Sequence, residues 1–145
     1  MHKVADEIMR GVDLPLLHIV DPTADAIRSR GLATVGLLGT GFTMSDSFYK
    51  GRMQQQHGLS VIVPNEDEQA AVHRIIYEEL CLGEVKPQSR ETYLSIMQRL
   101  ATEGAEAVIL GCTEITLLVQ QIHTDIPLFD TTALHAESAV QAAIA

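Results

Sequence analysis

The sequence is short of cysteine, of basic residues and of long apolar runs, and each shortage excludes a class of protein. Two cysteines are too few for a disulfide framework or for a zinc site of four thiolates. Ten Lys and Arg against nineteen Asp and Glu give a net charge of −9, which argues against a nucleic-acid surface. The sequence shows neither a signal-peptide pattern nor an apolar run of ~18 residues. We therefore expect a soluble cytoplasmic protein with reduced thiols and no membrane or nucleic-acid partner.

The 145 residues, 46% of them apolar, are enough for one domain with a substantial core. Short apolar runs alternate with helical patterns, and most runs are continuous, as in strands that are buried on both faces. This alternation indicates βαβ units, so the predicted fold class is α/β with a layered, Rossmann-like or flavodoxin-like parallel sheet. The predicted strands are residues 16–20, 34–38, 60–63, 107–110 and, more weakly marked, 127–129.

Helix boundaries are marked by capping residues. Asp21 followed by Pro22 predicts an N-cap with proline in the first helical turn, and Gly31 ends that helix. Asn65 predicts the start of another helix, and a helix from about residue 43 is expected to end at Gly58. Two further sets of residues at helical spacing predict buried helix faces: Val72, Ile75, Ile76 and Leu80, and Tyr93, Ile96, Met97, Leu100 and Ala101.

Two segments repeat one pattern, residues 35–43 (VGLLGTGFT) and residues 108–114 (VILGCTE). Each is an apolar strand followed by a glycine, a hydroxyl or thiol residue, and a helix start. The carboxyl ends of parallel strands are where α/β sheets bind ligands, and the amides of a following helix can bind an anion there. Neither segment has the spacing of a phosphate-binding or dinucleotide-binding loop.

Cys112 is the residue that we single out on physical grounds. A helix start after a strand end is expected to lower the pKa of a thiol, which could then act as a nucleophile or a general base. The alternative is that Cys112 is a small buried apolar residue, as most free cysteines are. For Cys81, between Leu80 and Leu82 late in a helix, a place in the core is favoured.

Several polar residues near these segments have two interpretations. Thr40 either binds a carboxylate or caps a helix, and Thr43 with Asp46 fits a cap better. Glu114 either belongs to an ordinary first helical turn or orients Cys112. Residues 83–90, which include Lys86, form either a mobile flap that carries a cation or, as we prefer, a surface loop.

The six histidines have no metal-ligand spacing, and we expect no metal site. We place His73 on a helix surface and His18 in a strand. His2 and His135 lie close to the two ends of the sequence, both of which are apolar. Residues 1–10 and residues 131–145 need a covering surface that one small domain does not easily provide.

At residues 111–114 (GCTE) the chain resembles the aspartate/glutamate racemase family, especially its broad-specificity amino-acid racemases. The resemblance extends over essentially all 145 residues. Four other stretches support it: residues 37–44 (LLGTGFTM), 48–52 (FYKGR), 75–83 (IIYEELCLG) and 129–135 (FDTTALH). Together these stretches are specific, whereas Gly-Cys-Thr alone is not.

The resemblance implies an enzyme of two pseudo-symmetric α/β domains with its site in the cleft between them. Each domain supplies one acid/base residue, and Cys112 matches the second of these. Thr40 and Thr113 match positions that hold the substrate carboxylate, and His2 matches the end of the first-domain motif. The resemblance also implies a small amino-acid substrate, no cofactor and a tendency to form homodimers.

In this resemblance the two helix starts after Gly39 and Gly111 would bind the carboxylate, and Glu114, His2 and Lys86 would support the site. We expect residues 1–11 to be a remnant helix of an absent first domain, residues 12–128 the second domain, and residues 129–145 a helix that packs on the first. The chain alone is then expected to be inactive or nearly so. The alternatives are a hydantoin racemase or a maleate isomerase-like enzyme, or a truncated binding or assembly module without catalytic activity.

Overall fold

A parallel β-sheet lies at the centre of the molecule. The structure, a computed structural model, describes residues 2–145 apart from the side chain of His2. The strands are β1 (Thr34–Leu38), β2 (Ser60–Ile62), β3 (Ala107–Leu110) and β4 (Leu128–Asp130). Their order is β2-β1-β3-β4 and all three pairings are parallel, which confirms the predicted α/β fold class.

Eight α-helices occur in the described part of the chain. They are α1 (Ala5–Gly11), α2 (Val20–Ser29), α3 (Gly41–Ser45), α4 (Ser47–His57), α5 (Glu66–Glu78), α6 (Pro87–Thr102), α7 (Ile115–Leu118) and α8 (Thr131–Ile144). Short 3-10 helices span His2–Val4, Leu80–Leu82 and Gln121–His123. None of the helices described is both long and apolar enough to cross a membrane.

The side chains of the central strands alternate between two cores, one on each face of the sheet. Val35 and Leu37 of β1 pack with α2 and α4, whereas Leu38 packs with α5 and α6 on the opposite face. Because both faces are covered by helices, the strands are apolar at nearly every position. At Gly36 a Cβ would lie 3.0 Å from Cδ1 of Leu100, so α6 packs directly on the backbone of β1.

Several sequence signals of helix boundaries are confirmed. The side chain of Asn65 accepts from the amide of Glu68, whose carboxylate accepts from the amide of Asn65, and this capping box starts α5. Gly58 adopts a φ of 68° after α4, in the left-handed region that favours glycine. The predicted apolar faces of α5 and α6 are buried, except that Ala101 is only half-buried.

The predicted strand at residues 16–20 is wrong, because Val20 already begins α2 and the preceding residues are not in a strand. Val20, Ala24 and Ile27 are fully buried, so the apolar run continues as one face of a helix. His18 is therefore not in a strand either. It is buried just before α2, and its Nδ1 accepts a hydrogen bond from the amide of Val20 at 3.2 Å.

Asp21 does not cap α2, which begins at the preceding residue. Its carboxylate instead accepts two hydrogen bonds of 2.7 Å from Arg52 and lies 3.0 Å from Nε2 of His57. Although burial opposes its ionisation, the hydrogen bonds with Arg52 and His57 lower the pKa of Asp21 to about 2. The interaction ties α2 to α4, since both partners of Asp21 lie on α4.

The helix expected to run from about residue 43 to Gly58 is divided into α3 and α4. The break occurs at Asp46, which has extended backbone angles and whose side chain accepts from the amide of Phe48 at 3.3 Å. Asp46 also binds Lys3 at 2.7 Å. A short side chain that can accept from the backbone favours a cap over a helix interior, and this explains the division.

The structure corrects the predictions for Cys81 and for the last strand. Cys81 lies in the 3-10 helix Leu80–Leu82 and is exposed, so the prediction that it belongs to the core is wrong. The predicted strand at residues 127–129 exists as β4 but begins one residue later. The division expected between residues 12–128 and 129–145 falls inside this strand. Helix α8 packs on α2 while Val140 and Ile144 remain 57% and 72% exposed.

Candidate active site

The two segments with the repeated pattern meet at the carboxyl edge of the sheet. Leu38, the last residue of β1, is in register with Leu110, the last residue of β3. The amide of Gly111 donates to the carbonyl of Leu38 at 2.7 Å, so the chain segments remain paired one residue beyond β3. Thr40 and Cys112 therefore follow neighbouring strand ends, which is where a parallel sheet binds ligands.

Close packing explains the glycines that precede these two residues. A Cβ on Gly39 would lie 3.1 Å from the side chain of Thr43, and one on Gly111 would lie 2.9 Å from the carbonyl oxygen of Leu38. Cγ2 of Thr43 would also lie 3.5 Å from a Cβ on Gly111. The side chain of Thr43 thus packs against both turns, so a shift of one turn would displace the other.

The helix cap in this region is Thr40, not Thr43. The Thr40 hydroxyl accepts from the amide of Thr43 at 3.5 Å and lies 3.2 Å from the hydroxyl of Thr43. The predicted cap of Thr43 with Asp46 is wrong, since Thr43 lies inside α3 and Asp46 caps the next helix. Thr40 remains partly exposed at the carboxyl edge.

Cys112 lies in the turn between β3 and α7 and is partly exposed. Its Sγ donates a hydrogen bond of 2.9 Å to Oε2 of Glu114, which is the contact that an orienting role of Glu114 requires. Burial and the acceptor carboxylate of Glu114 raise the pKa of Cys112 to about 12. Cys112 is therefore a thiol at neutral pH.

The prediction that a helix start lowers the pKa of Cys112 is wrong in direction. The helix that follows, α7, has only four residues and begins three residues after the cysteine. A helix this short has a small dipole, and the nearest charge is the carboxylate that binds the thiol. Burial of the thiol, together with the carboxylate that contacts the sulfur directly, outweighs this dipole and raises the pKa.

Replacing Glu114 with Gln is expected to lower the pKa of Cys112, since the amide can still accept the S–H but carries no charge that opposes the thiolate. Only the thiolate is alkylated, and each pKa unit changes its fraction about tenfold at a pH below the pKa. We expect alkylation of Cys112 by iodoacetamide at pH 9 to accelerate roughly threefold to tenfold. The exposed Cys81 is first replaced with Ala, and Glu91→Gln, an exposed carboxylate on α6, is the control. An unchanged or slower reaction would contradict the role given to Glu114.

Thr113, next to Cys112, is exposed at the same edge. Its carbonyl accepts from the hydroxyl of Thr116 at 2.9 Å, which holds the turn before α7. The hydroxyls of Thr40 and Thr113 are thus presented from the turns that follow β1 and β3.

His73 is a member of the site that sequence reasoning missed. It is not a plain surface residue, because it is half-buried and its Nδ1 accepts a hydrogen bond of 3.0 Å from the amide of Gly41. The ring of Tyr77, one helical turn later, lies 4.7 Å away between centroids. The sequence offered one weak signal, an aromatic pair at a spacing of four residues beside the buried face of α5.

Lys86 lies just before the first turn of α6, so the expected loop of residues 83–90 is a loop only as far as Lys86. Its Nζ lies 2.9 Å from Glu84 and 3.8 Å from Glu79, and the hydrogen bond with Glu84 raises the pKa of Lys86. Glu79 is buried and accepts from the hydroxyl of Ser89 at 2.5 Å. These contacts tie Lys86 to the start of α6.

The remaining histidines do not join the site. Nε2 of His135 lies 2.9 Å from the carbonyl of Leu17, which connects α8 to the segment before α2. The side chain of His2 lies outside the part of the chain that the structure describes. Among the described residues, no group of three or more His, Cys, Asp or Glu is placed to hold a metal ion.

The fold and the site define a class of protein, an α/β domain with a thiol–carboxylate pair at the carboxyl edge of a parallel sheet. The family model described as Asp/Glu/hydantoin racemase matches residues 1–139, and the chain belongs to that family.

Three relatives illustrate the similarity. A candidate Asp/Glu racemase from Yersinia pestis is 49% identical with a TM-score of 0.96, over 100% of this chain and 63% of that one. An aspartate racemase homologue from Pyrococcus horikoshii OT3 is 36% identical with a TM-score of 0.91, over 99% of this chain and 63% of that one. RacX of Bacillus subtilis (strain 168), a broad specificity amino-acid racemase, is 26% identical over 99% of this chain and 61% of its own length. The chain thus spans 61% to 63% of the length of these relatives.

Proposed function

We propose that the chain is the part of a cofactor-independent amino-acid racemase that carries one of its two acid/base groups, Cys112. The observation that carries the proposal is the partly exposed thiol of Cys112, hydrogen-bonded to Glu114 at the edge where β1 and β3 end side by side. Racemisation needs a group that exchanges a proton with the α-carbon, and a thiol with an adjacent carboxylate can do this.

Proton transfer by this pair depends on the direction of the reaction. For one enantiomer, a base on the far side removes the α-proton and the S–H of Cys112 delivers a proton to the near side, which leaves a thiolate. For the other enantiomer, the thiolate removes the α-proton and becomes a thiol again. Before this second reaction Glu114 can take the proton of the thiol and pass it to solvent, because its Oε2 already accepts the S–H hydrogen bond, with Sγ 2.9 Å away.

The thiolate needs stabilisation in the complex, since burial and Glu114 raise the pKa of Cys112 to about 12. The ammonium group of a bound amino acid supplies a positive charge that favours the thiolate. Closing the site around the substrate strengthens this interaction, because water no longer screens it. The substrate therefore takes part in activating the residue that deprotonates it.

The substrate carboxylate is held, in this proposal, by the hydroxyls of Thr40 and Thr113 above the close-packed turns at Gly39 and Gly111. Because Thr43 and the carbonyl of Leu38 occupy the places where side chains of Gly39 and Gly111 would lie, the two turns stay close together below the hydroxyls. The helices after them have only five and four residues, so we assign more of the binding to the hydroxyls than to helix dipoles. Lys86, whose ion pairs are with Glu84 and Glu79, is proposed as a supporting cation.

The second acid/base group is proposed to come from a part of the protein beyond these residues. The relatives are longer than this chain, and α8 leaves Val140 and Ile144 exposed, as expected of a helix that packs on a further domain. In this arrangement residues 12–128 form one racemase domain, while residues 1–11 and 129–145 pack against the other. The chain alone then has little or no racemase activity, and the assembled enzyme is a cytoplasmic homodimer.

The substrate is proposed to be a small amino acid, acidic or of broad range. One alternative has a specific observation in its favour, because the matching family model also covers hydantoin racemases. A hydantoin carries its exchangeable hydrogen on a carbon next to a carbonyl, and the same thiol could serve it.

The test is to fuse the chain to the portion of the Yersinia pestis relative that it does not cover, and to follow exchange of the α-hydrogen in D₂O by NMR. Amino acids and hydantoins are assayed side by side in this way with the fusion and with the 145-residue chain, and the conversion of maleate to fumarate is followed by NMR in parallel samples. We expect the fusion to invert amino acids and the chain alone to be nearly inactive. A folded fusion that acts on no amino acid, or a chain that is fully active alone, would overturn the proposal.

A further inference from the structure

We propose that His73 is a positioning residue of this site, one that fixes the turn after β1 and so directs the hydroxyl of Thr40 toward the space beside Cys112. This inference rests on the proposed function for its catalytic consequence. Its structural basis is separate: the amide of Gly41 donates to Nδ1 of His73 at 3.0 Å, across 32 residues of sequence.

The geometry around Gly41 leaves little room for another arrangement. A Cβ on Gly41 would lie 3.3 Å from Nδ1 and 3.8 Å from Cγ of His73, so the imidazole rests against the backbone of the turn. On its other side, the ring of Tyr77 lies at a centroid distance of 4.7 Å and a tilt of 41°. Two contacts therefore orient the imidazole, and α5 carries both His73 and Tyr77 on successive turns.

The position of Gly41 controls the two neighbouring parts of the site. Thr40 precedes it directly, and the carbonyl of Thr40 accepts the first helical hydrogen bond of α3 from Met44 at 3.0 Å. Thr43, inside the same turn of helix, packs against the glycine that precedes Cys112. A displaced Gly41 would thus move the Thr40 hydroxyl and loosen the packing that supports Cys112.

The hydrogen bond also defines what a replacement side chain must provide. Nδ1 has to act as an acceptor, which requires a neutral imidazole with its hydrogen on Nε2. The side-chain oxygen of asparagine is separated from Cβ by the same number of bonds as Nδ1 of histidine. Asparagine can therefore preserve the acceptor without the ring, whereas phenylalanine preserves the ring and its contact with Tyr77 without the acceptor.

The test compares His73→Phe with His73→Asn in the active fusion enzyme. Loss of the hydrogen bond in the Phe variant is expected to raise KM for the amino acid roughly threefold to tenfold with a smaller change in kcat. The Asn variant is expected to stay within about twofold of the unsubstituted enzyme. His73→Leu serves as a second variant without an acceptor, should the Phe variant fold poorly. Equal KM values for the Phe, Leu and Asn variants would overturn the proposal.

A second measurement separates this inference from the proposed function. Hydrogen exchange of the Gly41 amide, followed by NMR in the 145-residue chain, requires no substrate. We expect exchange to be slow with His or Asn at position 73 and faster with Phe or Leu. If no substrate is turned over but this pattern appears, the proposed function fails and the positioning contact stands. If Gly41 exchanges equally fast in all four proteins, the positioning role fails whatever the activity.

Discussion

Replacing Cys112 with alanine in the fusion enzyme is expected to lower kcat/KM for racemisation by about 10²-fold to 10⁴-fold, the usual contribution of one general acid/base group. The loss follows from the position of the thiol, which is partly exposed at the carboxyl edge and already shares its hydrogen with Glu114. Alanine removes the group that exchanges the proton and leaves the turn intact, since the residue before it, Gly111, sets the close packing. Racemisation is measured by circular dichroism or chiral chromatography in both directions.

The two directions distinguish an acid/base role from a structural one. Without Cys112, the opposite base can still remove the α-proton of one enantiomer and return a solvent proton to the same side. That enantiomer should therefore exchange its α-hydrogen in D₂O without inversion, while the other should not exchange. A structural defect would instead weaken both exchanges equally.

Cys81→Ala is the matched control for Cys112→Ala. Cys81 is exposed in a 3-10 helix and takes no part in the proposed proton transfer, so its replacement is expected to leave racemisation within about twofold, as for surface substitutions in general. If Cys112→Ala retained full activity, or if both variants lost it to the same extent, Cys112 would not be the acid/base group.

The sheet could be predicted because parallel strands that are buried on both faces are continuous apolar runs in the sequence. The runs at Thr34–Leu38 and Ala107–Leu110 are apolar at almost every position, and each is followed by a glycine at which a side chain would have no room. An apolar run alone is ambiguous, however. Residues 16–20 resemble a strand as closely as the others do, but Val20, Ala24 and Ile27 show that the apolar spacing continues with a helical period.

The chemistry of the site was less accessible from the sequence, since it depends on where side chains meet. The sequence placed Cys112 correctly between a strand and a helix. It could not show that the thiol is half-buried and bound by Glu114, and these two effects together reverse the expected direction of the pKa shift of Cys112. Nor could it connect His73 to Gly41, because the two belong to different elements and meet only in the folded chain. The contact of Glu114 with Cys112 depends on the side-chain rotamers, and the contact of His73 with Gly41 depends on tertiary packing. Neither can be read from the order of the residues.

The close approach of β1 and β3 gives the second large prediction, the effect of Gly111→Ala on stability. A Cβ at this position would lie 2.9 Å from the backbone oxygen of Leu38 and 3.1 Å from Cδ1 of Leu37. The backbone oxygen cannot move without disturbing the pairing of two central strands, so the substitution is expected to cost about 1–3 kcal/mol, as overpacking usually does. At roughly 2–4 °C per kcal/mol for a chain of this size, Tm should fall by several degrees.

Gly51→Ala is expected to have the opposite sign, which makes it the control for Gly111→Ala. Gly51 lies inside α4, and a Cβ there would have no neighbour within 4 Å. Alanine is favoured over glycine in a helix interior by about 1 kcal/mol, so Tm should rise. Neither glycine has a positive φ, so backbone strain does not separate the two sites and the space around the added methyl group decides the sign. An unchanged or raised Tm for Gly111→Ala would show that the junction between Leu38 and Gly111 has room for a methyl group, contrary to the 2.9 Å approach.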